Sequence, residues 1–130
     1  MPDDVKQATD ALCGLHNAIV DFIITYQNQP TVSSKAITEL GDSRYHGAIA
    51  NAYSQNGVQV LMACDQLDAL SKTLTEPTLT IAPWTCVRAI IELAAVASWL
   101  IDPKIGVKER VERSFALRFE GLRQQIRSRL

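Results

Sequence analysis

Strand-like alternation is missing from this 130-residue chain. Nowhere do apolar and polar residues trade places at a period of two, and no internal repeat or low-complexity tract breaks the pattern. Neither GxxxxGK[ST] nor GxGxxG occurs, so no phosphate-cradling loop of those kinds is present. No serine sits in a nucleophile elbow. Histidine is scarce, with only His16 and His46, and the Glu-x-x-His that a di-iron bundle needs on two helices is absent. The three cysteines, Cys13, Cys64 and Cys86, lie in helical apolar patterns without metal-finger or redox spacing, so they read as buried thiols in a reducing compartment. The N-terminus, MPDDVKQATD, is acidic and polar and is no secretory signal. A cytoplasmic location is therefore expected.

What is present is helix. A net charge of −1 favours neither a nucleic-acid binder nor an acidic tail, but the charge is unevenly placed. Residues 1–107 carry 6 Lys/Arg against 11 Asp/Glu, whereas residues 108–130 carry 7 against 3. Val5, Ala8, Leu12, Leu15, Ile19, Phe22 and Tyr26 recur in steps of three and four, which predicts a first helix ending near Gln27–Gln29, before Pro30. A short helix over Lys35–Leu40 follows, capped by Ser33 or Ser34 and closed by Gly41 in the left-handed conformation. Asp42 or Ser43 can cap the next helix, whose seam is Tyr45, Ile49, Ala52, Asn56, Val60, Ala63, Leu67, Leu70 and Leu74. Gly57 in that helix either allows close approach of a neighbouring backbone or interrupts the helix; the unbroken seam favours close approach.

Pro83 to Asp102 is the stretch on which the rest is organised. Ile90, Ile91, Leu93, Val96, Leu100 and Ile101 point all round a helix, and a helix apolar on every side has to be surrounded. Pro83 suits its first turn and Asp102-Pro103 its end. It is nearly long enough to span a bilayer, but Arg88 and Glu92 oppose insertion. A last helix carries Val107, Val111, Phe115, Phe119, Leu122, Ile126 and Leu130, and the chain ends still on that pattern. The fold expected is all-α: an up-and-down antiparallel bundle of four main helices with the third central. Residues 1–130 make one domain, either whole or the N-terminal part of a longer protein.

Candidate polar groups are few. Thr85, Arg88 and Glu92 lie within roughly 60° of one another on the central helix and form a narrow polar seam. They are either a structural ion pair or a site in which Arg88 clamps a phosphate that Glu92 orients. Cys13 and His16 could supply half a zinc site, with Cys64, Cys86 or His46 completing it, but no spacing requests it. Asp65, Asp68 and Asp21 could hold magnesium but read as solvated faces. No metal, cofactor or catalytic residue is assigned. Arg118, Arg123 and Arg127 are candidate nucleic-acid contacts, although Glu109, Glu112 and Glu120 are interleaved among the basic residues of the last helix.

Trp84, Arg88, Glu92, Trp99, Leu100, Asp102 and Pro103, followed by Arg110 and Arg113, resemble a stretch of uncharacterised HEPN-like (higher eukaryote and prokaryote nucleotide-binding) helical proteins. The resemblance covers roughly residues 43–120. It implies a helical bundle that often dimerises, in a superfamily rich in phage-defence and toxin–antitoxin ribonucleases. Those ribonucleases carry Arg, then four to six residues, then His. Here Arg44 precedes His46 with one residue between them, so no catalytic residue carries over. The expectation is a non-catalytic, self-associating module, a homo-oligomer with a further protein partner or C-terminal domain in a defence or regulatory protein. A divergent ribonuclease or RNA-binding toxin component is the alternative.

Overall fold

The computed structural model describes residues 3–27, 33–74 and 81–129, which form five helices and no strand: α1 (Asp3–Gln27), α2 (Lys35–Leu40), α3 (His46–Thr73), α4 (Ala82–Leu100) and α5 (Val107–Arg127). Residues 1–2, 28–32, 75–80 and 130, and the side chains of Tyr26 and Gln27, lie outside the described residues.

Local signals set most of the boundaries. Ser34 Oγ accepts the Ile37 N–H at 3.4 Å and starts α2. Gly41 ends it at φ −75°, in the right-handed region and not the left-handed one, with its N–H on the Ile37 carbonyl at 3.1 Å. Neither Asp42 nor Ser43 caps α3. The Asp42 carboxylate instead accepts the Arg44 N–H at 3.0 Å, and Tyr45 occupies the cap position without a side-chain bond. Pro83 stands in the first turn of α4.

The seam of α3 is buried towards both ends, where Ile49, Ala52, Leu67 and Leu70 are inside with Cys64 and Ser71 beside them, and half-buried in the middle at Asn56, Val60 and Ala63. The helix passes through Gly57 unbroken, and nothing lies within 4 Å of where a Cβ would stand. Close approach is therefore not the reason for this glycine, nor is a helix break.

Within one chain α3, not α4, is the helix on which the others converge: α1, α2, α4 and α5 all pack against it. Against α4 lie chiefly α3 and the start of α5. Only 17% of α4 is buried, although it is long and apolar enough to cross a membrane. Cys86, Ala97 and Leu100 are inside; Trp84 is 74% exposed and Ile91 62%. The requirement that an all-round apolar helix be surrounded is unmet in the single chain.

Two other seams are split in the same way. On α1, Thr9 is buried and Val5, Leu12 and Ile19 are half-buried, whereas Leu15 and Phe22 face outward. On α5, Val107 and Val111 join a core with Leu40, Tyr45, Ala48, Ile49, Ala52 and Tyr53. One turn further along both helices, Ser114 Oγ donates to Gln55 Oε1 at 2.7 Å, so α3 and α5 run in the same direction. Beyond that point α5 leaves the core. Phe119 is 69% and Ile126 63% exposed, and residues 118–129 are all exposed.

Candidate functional site

Thr85, Arg88 and Glu92 do share one side of α4, but that side faces solvent. The Arg88 and Glu92 side chains are 81% and 62% exposed, joined by a 2.7 Å bond from Nε to Oε1. Thr85 Oγ1 donates back to the Ile81 carbonyl at 3.3 Å. With Trp84, Val87 and Ile91 the pair lines a shallow depression of about 320 Å³. The expected buried polar seam is thus an exposed i,i+4 pair, and Gln59 and Gln66 of α3 line a second depression with Glu92. His46 Nδ1 lies 3.0 Å from the Leu40 carbonyl instead, and Arg44 is held by Asp42 at 3.0 Å.

The chain's buried polar cluster lies elsewhere. Arg110 and Glu39 have side chains only 2% and 5% exposed. Arg110 Nε donates to Glu39 Oε2 at 2.9 Å, and Nη2 approaches Oε1 at 3.5 Å. Its other donors cap the end of α4: Nη1 to the Leu100 carbonyl at 2.6 Å, Nη2 to that of Asp102 at 3.2 Å. Carbonyls at a helix C-terminus have no intrahelical partner and carry the negative end of the dipole, so a guanidinium fork suits them. Tyr53 Oη donates to Glu39 Oε2 at 2.7 Å, and its ring lies 5.4 Å from the guanidinium. Lys35 donates to the carbonyls of Pro103 and Ile105 at 2.6 and 2.7 Å and stands 3.7 Å from Glu39 Oε1.

Burial works to raise the Glu39 carboxyl. The bonds from Arg110 and Tyr53, together with the charges of Arg110 and Lys35, outweigh it and hold the group below its ordinary value. Burial and the bond to Glu39 push the Tyr53 phenol up to about 12. Each buried polar atom of Arg110, Glu39 and Tyr53 has a partner within the chain, so the cluster ties α2, α3 and α5 to the α4–α5 turn. Next to it, Arg113 donates to the Trp99 carbonyl and to Glu109 Oε1, and its guanidinium lies 4.9 Å from the Trp99 ring centre. The pattern around Asp102-Pro103 contains Arg110 and Arg113, but their grouping with the exposed arginines of α5 conceals their role. The signal available is position: Arg110 falls on the Val107–Val111–Ser114 face. Glu39 gives no signal beyond its i,i+4 spacing from Lys35.

The remaining candidates separate. Arg118, Arg123 and Arg127 are exposed on α5, Arg123 beside Glu120 at 3.6 Å. Cys13 is exposed, not buried; Cys64 and Cys86 are buried, and burial with Asp65 nearby pushes the Cys64 thiol up. Asp68 pairs with Lys72. Among the described residues no three His, Cys, Asp or Glu side chains gather where they could hold a metal ion.

A further concavity is apolar. It lies over α3 between α1 and α4, about 370 Å³ in volume, walled by Leu15 and Ile19, Val60 and Leu67, and Leu93 and Ala97. Gln59 and Ser98 are the polar members of its lining. No family model, curated protein or solved structure matches this chain.

Proposed function

We propose that this chain is a non-catalytic helical module that works by self-association. One observation carries the reading: the area left in water. The single chain exposes 9311 Å², whereas a folded monomer of its mass exposes about 6,800 Å². The difference, roughly 2,500 Å², exceeds the roughly 800 Å² that each partner contributes to a standard interface. Much of it is large apolar side chain: Trp84 and Ile91 on α4, Phe115, Phe119, Leu122 and Ile126 on α5, Leu15 and Phe22 on α1. Patches of this extent mark interaction surfaces.

In this reading the assembled form is an up-and-down antiparallel bundle of the four long helices in which α4 becomes the interior helix. The common direction of α3 and α5 is compatible with that topology. The HEPN-like resemblance supports a dimerising bundle, placed in a larger defence or regulatory protein. The ribonuclease alternative draws no support from Arg44, which pairs with Asp42, or from His46, which lies against the Leu40 carbonyl. Sedimentation velocity over a concentration series tests the reading. A species of twice the 14.3 kDa chain mass is expected; a strict monomer at high concentration overturns it. If instead Arg118, Arg123 and Arg127 serve RNA, binding to single-stranded RNA will weaken steeply with salt.

A further inference from the structure

We infer that the exposed half of α5 from one chain fills the trough between α1 and α4 of a second copy, and receives the same from it. The inference rests on the self-association reading and names the surfaces that meet.

The tail has the form of a docking helix. At 100° per residue, Phe115, Phe119, Leu122 and Ile126 fall within roughly 60° of one another, a narrow stripe with steps of four, three and four. Arg118 and Arg129 border one edge and Arg123 the other, the arrangement of charges that flank a coiled-coil seam. A phosphate-tracking surface would gather its arginines on one face and leave the apolar stripe without a purpose.

The trough has the complementary form. Its walls on α4 run from Ile90 to Ile101, and the stripe runs from Phe115 to Ile126. Each spans about 17 Å of helix at 1.5 Å per residue. Small residues on the trough side, Ala63, Ala94 and Ala97, leave room for the large ones on the tail.

A chain cannot serve itself in this way. Val107 to Ser114 is fixed against the first half of α3, and α5 continues as one unbroken helix to Arg127. The tail cannot turn back around α3 into its own trough. A second copy supplies the missing helix, and reciprocal exchange closes the assembly as a two-fold dimer.

Cross-linking between differently tagged chains tests the placement, all in a Cys13→Ser background. Phe119→Cys in one chain and Ala94→Cys in the other should form a mixed disulfide under mild oxidation. Phe119→Cys with Ala50→Cys, on an exposed part of α3, should not. In parallel, Phe119→Asp/Ile126→Asp should raise the dimer dissociation constant about 100-fold or more without loss of helix, because both positions are exposed within the chain. A parent dimer that gives no Phe119–Ala94 cross-link, or a double variant that still dimerises like the parent, overturns the exchange and leaves self-association standing. A parent that stays monomeric overturns both, and if it then partitions onto anionic vesicles the apolar stripe serves a membrane surface instead.

Discussion

Breaking the Arg110–Glu39 pair from one side leaves a charge where water cannot follow. Arg110→Met should cost about 3–5 kcal/mol in denaturant unfolding, and Arg110→Met/Glu39→Leu should recover most of that loss. The same substitutions at the exposed pair, Arg88→Met and Glu92→Leu, should leave the unfolding midpoint unchanged, since solvent already screens that contact. The pH dependence separates parent from variant more sharply. In the parent the Glu39 carboxyl lies below its ordinary value in the fold. Its contribution is therefore present above the unfolded value and is lost as pH falls through the folded one. In Arg110→Met the carboxylate is buried without its main partner, which raises its folded value. That variant should gain stability relative to the parent as the medium is acidified through the carboxylate range, giving slopes of opposite sign in unfolding free energy against pH. At the alkaline end the Tyr53 proton is held more tightly in the fold, with a value of about 12. Its contribution is full below the ordinary phenol value and is lost as pH rises toward 12.

At the scale of the helix, Gly57 offers a direct test of how free the surface of α3 is. With no atom near the place of a Cβ, Gly57→Ala should stabilise the chain by up to about 1 kcal/mol, measured by thermal or denaturant unfolding. A loss of stability would show a neighbour on that face. The same helix shows what can be read from the sequence. The α3 seam, from Ile49 to Leu70, is legible because its period matches the one face of the helix that is buried towards both ends. The seams of α1 and α5 are legible as helix but not as burial, because periodicity says which residues share a face and not whether the partner is in the same chain. The all-apolar character of α4 likewise demands neighbours without saying whose. Arg88 and Glu92 draw attention as charges in a greasy helix, yet they occupy its outer side. The polar pair that is buried joins positions 71 residues apart, a separation to which local spacing is blind.

At the scale of the whole molecule, a chain that leaves so much apolar area uncovered should draw stability from its copies. Its Tm should rise with protein concentration, since whatever binds only the folded form shifts unfolding by mass action. A Tm that stays constant across a hundredfold range would count against association in the folded state. The same molecule also carries a constraint on the order in which it can be made. Glu39 emerges early in synthesis, and the guanidinium that neutralises it belongs to Arg110, on the far side of α3 and α4 in the chain. Until that residue has been synthesised, α2 has no reason to bury its carboxylate, and the end of α4 has no donor for its carbonyls. A chain truncated before Arg110 should therefore leave the Glu39 carboxylate solvated. The first two turns of α5 bring the donor that lets the N-terminal half settle, so a helix made later completes the fold of earlier ones.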